Sequence, residues 1–320
     1  MKNPFPYSLD HKRYHSWNYY LKNIFGEKIF KVALDGGFDC PNRDGTVAYG
    51  GCTFCSVAGS GDFAGDRAHD LTTQFHEVKE RMHTKWPNAK YIGYFQAYTN
   101  THAPVSELRE KYEVILQQEN VVGMSIGTRP DCLPDDVVEY LAELNERTFL
   151  WVELGLQTMH QQTSDLINRA HDMECYLEGV AKLRRHNINV CTHIINGLPG
   201  ENYQMMLDTA KAVSEMDVQG IKIHMMHLLK GTPMVKQYEK GLLKFMTKDE
   251  YIQLVVDQLE LLPKEMIVHR ITGDGPPELL IGPMWSMSKW EVLNAIDAEF
   301  KKRDSFQGKT YNRLARVLPC

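Results

Sequence analysis

From about residue 29 the chain alternates short apolar runs with amphipathic stretches of roughly ten to fifteen residues. A repeat of two in the former and of 3.6 in the latter predicts βα units, and so a parallel sheet covered by helices. Six strands are expected, at roughly 30–36, 90–97, 121–127, 148–157, 189–196 and 219–228, each leading into a helix. Residues 202–216 show the helical pattern: Asn202 can cap the start, and Tyr203, Met206, Leu207, Ala210 and Val213 recur at helical spacing. Thr247 and Glu250 form a capping-box pattern ahead of a helix ending near Pro263, and a strand near 266–271 and a helix near 286–302 follow.

The fourth strand says most about function. Leu150, Val152, Leu154 and Leu156 alternate with Trp151, Glu153, Gly155 and Gln157, so one face is apolar and the other is chemical. Parallel strands buried on both faces usually read as unbroken apolar runs, and a polar face therefore predicts a lumen that holds a ligand. The sixth strand repeats the pattern, with Ile221, Ile223 and Met225 against Lys222 and His224. The expected fold is α/β, a partial (β/α)6 barrel of the TIM type over residues 29–240. A short segment (1–28) precedes it and a small α/β extension with a basic tail (241–320) follows.

Composition agrees with one large core: 43% of the 320 residues are hydrophobic and 24% charged. No linker, repeat or low-complexity block divides the chain, no window is apolar for the length of a bilayer, and the first twenty residues lack the pattern of a signal peptide. The cytoplasm is expected. The formal charge is −5, but Lys301, Lys302, Arg303, Lys309, Arg313 and Arg316 face Asp304 alone between residues 301 and 316. That tail carries +5 and leaves −10 on the first 300 residues. A basic appendage on an acidic body suits a polyanion such as RNA, and suits an ordinary solvated helix face equally well.

Seven cysteines are an odd number for a disulfide framework in a chain that does not need one. Three of them gather in Cys40-Pro-Asn-Arg-Asp-Gly-Thr-Val-Ala-Tyr-Gly-Gly-Cys52-Thr-Phe-Cys55, directly after the first strand, where a βα barrel carries its active-site loops. Thiolates ligate iron–sulfur clusters, and three of them around a [4Fe–4S] cube leave one iron open to a small molecule with amino and carboxylate groups. Glycines at 45, 50, 51, 59 and 61 free the backbone to wrap closely. The competing reading is a zinc knuckle, but structural zinc needs a fourth ligand, and His69 has no partner pattern around it. Cys132, Cys175, Cys191 and Cys320 are isolated.

At these residues the sequence resembles the radical S-adenosylmethionine superfamily, whose cysteine loop has an aromatic before its last cysteine, as Phe54 is here. The first gap departs from the usual pattern, with eleven residues between Cys40 and Cys52 where three are usual. Gly127-Thr128-Arg129-Pro130-Asp131, Glu153-Leu154-Gly155-Leu156-Gln157, Asn168-Arg169-Ala170-His171, Leu198-Pro199-Gly200 and Gly231-Thr232-Pro233 are similar to successive motifs of the radical domain of the Elongator catalytic subunit, over about residues 30 to 240. Asp35-Gly36-Gly37-Phe38-Asp39-Cys40 and His269-Arg270-Ile271-Thr272-Gly273-Asp274 look closer still to the small stand-alone YtqA/YhcC-like family, linked to wobble-uridine modification of tRNA in some bacteria. Fewer than a hundred residues follow the barrel, so the Elongator acetyltransferase domain has no counterpart.

The resemblance implies that Cys40, Cys52 and Cys55 hold a [4Fe–4S] cluster that reduces S-adenosylmethionine to give a 5′-deoxyadenosyl radical. It places Gln96 and Tyr98 near the methionyl amino group, Ser125 and Arg129 at the end of the third strand, and Arg129 and Arg169 against the methionyl carboxylate. Glu153 or Gln157 would accept from the ribose hydroxyls. Lys222 and His224 face the lumen and either can touch substrate, His224 also reading as a satisfied structural histidine. Lys301, Lys302 and Arg303 would hold tRNA phosphates. An electron donor of flavodoxin or ferredoxin type and partner modification enzymes are expected. Two other functions stay open: a radical enzyme acting on a small metabolite such as a porphyrin precursor, and a zinc-stabilised RNA-binding module.

Overall fold

The computed structural model describes residues 3–83 and 89–312. Its centre is a seven-stranded, all-parallel sheet in sequential order. The strands are β1 (Ile29–Leu34), β2 (Lys90–Phe95), β3 (Val121–Thr128), β4 (Phe149–Gln157), β5 (Asn189–Asn196), β6 (Gly220–Met225) and β8 (Ile267–Arg270). This is the expected partial barrel. The strand near 266–271, expected in the extension, joins the sheet as its seventh member, with Gly220 paired to Ile267. A two-stranded antiparallel ribbon, β7 (Leu228–Leu229) with β9 (Leu280–Gly282), stands beyond the end of β6.

The outer layer consists of α2 (Leu71–His83), α3 (Val105–Leu116), α4 (Asp135–Arg147), α5 (Gln161–Leu166), α6 (Met173–Arg185), α7 (Tyr203–Glu215), α8 (Met234–Glu239), α9 (Lys248–Leu261) and α10 (Lys289–Lys302), the last preceded by a 3-10 turn at Met284–Met287. Local chemistry fixes their starts. Asn202 accepts from the Met205 N–H, Asp172 from the Cys175 N–H, and Thr247 and Glu250 form both halves of a capping box.

The alternation in β4 sorts the interior as expected. Leu150, Val152 and Leu154 turn outward into the main core with Tyr112, Leu141, Val213 and Val255 from the helices, each contributing about 1.5–3 kcal/mol by burial. The opposite face points into the lumen. Its floor is closed by α1 (Trp17–Phe25), capped by Ser16. The Trp17 ring lies 5.3 Å from Trp151 and 4.0 Å from His269, and Tyr20 packs edge-on against Trp151. With one end plugged by aromatic rings, the lumen opens at the C-terminal ends of the strands. No helix among the described residues is long and apolar enough to cross a membrane.

Candidate active site

A cavity of about 250 Å³ opens at that end, and Cys40, Cys52, Cys55, Phe54, Gln96 and Tyr98 line its upper wall. The cysteine loop is held from three sides. Asn168, at φ +54°, donates to the carbonyls of Tyr49 (3.0 Å) and Gly51 (2.8 Å). Asn42 donates to the Asn168 carbonyl at 2.6 Å and lies 3.5 Å from the Cys52 sulfur. The Thr53 N–H donates to the Ile167 carbonyl, and Met234 at the start of α8 donates to Thr53 in turn. Asn168-Arg169-Ala170-His171 is thus the fastening of the loop.

Gln96 and Tyr98 act on the segment after Cys55. Gln96 donates to the Ser60 carbonyl at 2.8 Å, and the Tyr98 hydroxyl donates to the Val57 carbonyl at 2.5 Å. Gly59 passes so close under the Tyr98 ring that a Cβ there would stand 2.6 Å from it, and its φ of +60° favours glycine as well. Arg43 and Arg67, which sequence reasoning did not single out, lie 5.3 and 4.9 Å from the same ring.

The thiols suit a cationic group among them. Burial raises the Cys55 thiol pKa, and the neighbouring Cys52 and Cys40 add to that rise against the pull of Ser60 and Arg43. Three adjacent thiolates are stable only with positive charge between or beside them, as iron supplies. Polar donors reach the sulfurs: Ser60 Oγ is 3.4 Å from Cys55 and Arg169 Nη1 is 3.6 Å from Cys52. Among the described residues no three His, Cys, Asp or Glu side chains are grouped so as to hold one metal ion. Cys132 and Cys191 are buried, Cys175 is half-buried, and Cys320, with Arg313 and Arg316, lies outside the described residues.

The two arginines differ. Arg129 is fully engaged on its own side of the barrel: Nε and Nη2 grip Asp131 at 2.9 and 2.7 Å, and Nη1 donates to the Arg169 carbonyl. Arg169 donates to the Gly155 carbonyl at 2.6 Å, and its buried Nε has no partner among the described residues. A buried guanidinium N–H left unpaired costs free energy, which a ligand carboxylate would recover.

Deeper in the lumen lies an ionic cluster of which the sequence showed only parts. The Glu153 carboxylate, with no side-chain exposure, accepts from Ser125 Oγ (2.6 Å), His193 Nε2 (2.7 Å), Lys222 Nζ (2.9 Å) and Lys31. Lys222 also donates to the Tyr94 hydroxyl at 2.9 Å. Burial alone would raise the Glu153 pKa, yet Lys222 and Lys31 hold it well below the usual carboxylate range. Burial pushes Lys222 down to about 8 against the pull of Glu153. Burial and Lys222 lower His193 to about 4, so its imidazole is neutral and donates. Glu153 and Ser125 therefore spend their hydrogen bonds within the protein. Gln157, at φ +75° on the end of β4, lines the cavity with a side chain that has no hydrogen-bond partner among the described residues, and the same holds for the His224 side chain.

Lys301, Lys302 and Arg303 are not brought to this cavity. Lys302 and Arg303 pair with Glu299, and Arg303 also meets Asp257. The chain just after them is fastened by Gln307 to the carbonyls of Pro263 and Met266, beside the start of β8, at the end of the sheet away from the cysteine loop.

Comparison with known proteins agrees with this geometry. A family model described as "Radical SAM superfamily" matches residues 42–213, and one described as "Radical_SAM C-terminal domain" matches 218–302. The chain is 72% identical to "Uncharacterized protein YtqA" of Bacillus subtilis, over 98% of this chain and 97% of that one. It is 23% identical to a "tRNA uridine(34) acetyltransferase" of Methanocaldococcus jannaschii, over 51% of this chain and 30% of that one. The solved structure of Methanocaldococcus infernus Elp3 has the same fold, with a TM-score of 0.65, 16% identity, and coverage of 87% of this chain and 64% of that chain, less than two thirds of its length.

Proposed function

Since the chain belongs to the radical S-adenosylmethionine superfamily, and so works with a [4Fe–4S] cluster and S-adenosylmethionine, we propose that it modifies tRNA, at the C5 side chain of wobble uridine. The site geometry supports the chemical half of this reading: three cysteines on one cavity wall beside an arginine whose buried Nε is unpaired. The similarity to a tRNA uridine(34) acetyltransferase supports the substrate half. Acetyl transfer is not proposed, because the chain matches only 30% of that protein.

In this reading Cys40, Cys52 and Cys55 would hold the [4Fe–4S] cluster. The chemistry the cluster supplies when bound is one-electron reduction of the S-adenosylmethionine sulfonium, which releases a 5′-deoxyadenosyl radical able to take hydrogen from substrate. Arg169 receives the methionyl carboxylate on its free Nε–H. Gln96 and Tyr98 keep the segment after Cys55 in place, so that the methionyl end meets a fixed surface. Gln157, rather than the fully engaged Glu153, faces the ribose. Arg129 positions Arg169 by fixing its backbone carbonyl. Lys222 and His224 stand deeper, where the substrate base enters once it is flipped out of the anticodon loop. Lys301, Lys302 and Arg303 contact tRNA only if it reaches around the barrel to the far end of the sheet. A reductant of flavodoxin or ferredoxin type, partner modification enzymes and a cytoplasmic setting belong to the same proposal.

The test begins with anaerobic reconstitution and assay of 5′-deoxyadenosine, with Cys55→Ala expected to lose both colour and cleavage. Bulk tRNA from cells lacking the gene is then incubated with the enzyme and its nucleosides are resolved by mass spectrometry. A changed wobble uridine is expected. Cleavage of S-adenosylmethionine with no altered nucleoside in the whole tRNA pool would overturn the substrate assignment.

A further inference from the structure

Arg270 ends β8, within the His269-Arg270-Ile271-Thr272-Gly273-Asp274 segment, and lines the same cavity as the cysteines. Its guanidinium donates a hydrogen bond to no group among the described residues. The other cations of the lumen walls are engaged. Lys31 and Lys222 share Glu153, Arg129 holds Asp131, and Arg169 holds the Gly155 carbonyl. On the same wall, the buried Nε2 of His227 also lacks a partner among the described residues. The acidic group nearby, Asp274, is drawn to Lys289 at 2.5 Å.

We propose that Arg270, supported by Lys222 and His227, forms an anion-recognition subsite that grips a carboxylate or phosphate of the substrate beside the radical site. Deep in the lumen, Lys31, Lys222 and Arg270 stand against Glu153, and His193 and His224 are both held neutral by burial. That leaves positive charge facing the cavity from the buried Lys222 and the half-buried Arg270, an arrangement that an entering anion would stabilise. A planar guanidinium with five donors matches a carboxylate or phosphate through two parallel hydrogen bonds, and Lys222 supplies the longer-range field. The methionyl carboxylate is a poor candidate for this position, because it belongs beside the cluster with Arg169, whereas Arg270 is grouped with Lys222, His224 and His227.

The inference rests on the reading of this cavity as the radical site, but not on tRNA as the substrate. Its test uses the reconstituted wild-type holoenzyme, labelled at arginines with phenylglyoxal and mapped by peptide mass spectrometry. Acetate, inorganic phosphate and S-adenosylmethionine are added separately, each to saturation. Labelling of Arg270 is expected, with a fall of about tenfold or more under one of the two anions, the size of a lost charge-assisted hydrogen bond. Protection by acetate identifies a carboxylate, and protection by phosphate a phosphate. Labelling that neither anion reduces, or that S-adenosylmethionine alone abolishes, overturns the subsite. Isothermal titration calorimetry with the protecting anion adds a second measurement: Arg270→Gln should lose about tenfold in affinity and Arg270→Lys should retain part of it. Equal affinities in wild type and Arg270→Gln would also overturn it. No step involves tRNA or turnover, so failure here leaves the tRNA proposal standing, and a failed tRNA assay leaves the subsite standing.

Discussion

Glu153→Gln is the most informative single change, because it keeps side-chain volume and removes the charge that balances Lys31 and Lys222. The amide oxygen can still accept hydrogen bonds, but the buried Lys222 and the half-buried Lys31 lose their counter-ion. Breaking a buried ion pair from one side costs about 3–5 kcal/mol, and at roughly 2 °C per kcal/mol for a chain of this size the melting temperature should fall by about 6–10 °C. The pH dependence has a definite sign. The folded pKa of Glu153 is depressed, so its contribution is present above the ordinary carboxylate range and is lost as pH falls from there toward the depressed folded pKa. Lys222 sits at about 8 when folded and 10.5 when unfolded, so its protonated form penalises folding below about 8 and the penalty fades as pH rises toward 10.5. Without Glu153 the Lys222 pKa drops further and the penalty at neutral pH grows. The stability gap between wild type and variant should therefore be wide near pH 7 and narrow near pH 10. Thermal unfolding followed by circular dichroism at both pH values checks this, and Lys222→Met in the Glu153→Gln background should recover a large part of the loss. A melting temperature within about 2 °C of wild type at pH 7, or a deficit that does not change with pH, would refute the account of the cluster.

Three further outcomes follow from the loop geometry. Gly59→Ala should cost about 2–4 kcal/mol, since it combines left-handed strain with a Cβ 2.6 Å from the Tyr98 ring. Gly26→Ala, at φ +72° with nothing within 4 Å, should cost only about 1–2 kcal/mol, and equal losses by denaturant unfolding would remove the close-approach argument. Asn168→Ala and Asn168→Gly should both shed iron to a chelator faster than wild type, because each lacks the amide that holds Tyr49 and Gly51; unaltered iron retention in both would count against Asn168 as the fastening. Arg169→Lys should weaken S-adenosylmethionine binding by about tenfold or more, as the planar donor set is lost, and equilibrium binding at wild-type strength would reassign the methionyl carboxylate.

The strands were legible because their cause is local. In β4, Leu150, Val152 and Leu154 against Glu153, Gly155 and Gln157 reveal both the strand and the face that meets the lumen. The starts of α7 and α9 were legible for the same reason, through Asn202 and the Thr247–Glu250 pair. Two features needed the whole fold. The nine residues of α1 carry an apolar stripe of Trp17, Tyr20, Leu21, Ile24 and Phe25, but their role as the barrel floor depends on Trp17 meeting Trp151 and His269 from distant strands. The strand at 267–270 could be read as a strand, but its parallel place beside β6 is set by the path of the chain through α9.

In the site, residue types were legible and partnerships were not. Arg129 presents the donor set of a ligand-binding arginine, yet its partner stands two residues on, at Asp131. Glu153 looks free on its strand, yet Lys31 reaches it from a position 122 residues earlier, and His193 and Lys222 from 40 and 69 residues later. A usable signal was nonetheless present. Lys31 interrupts the apolar run Ile29-Phe30-Lys31-Val32-Ala33-Leu34, and a lysine within a strand of a parallel barrel can satisfy its charge only in the lumen. Taking the charged residues of every strand together sets Lys31, Lys222 and Arg270 against Glu153 on one enclosed surface. A barrel interior with that excess of cations folds stably because Glu153 neutralises part of it, and the remainder is available to whatever anion the substrate carries. The cluster that stabilises the lumen and the charge that would select the substrate are thus two consequences of one imbalance. Sorting the strand residues by face exposes Lys31, Lys222 and Glu153, whereas Arg270, which shares the parity of the outward Val268, joins them only through the register shift between Ile221 and Lys222.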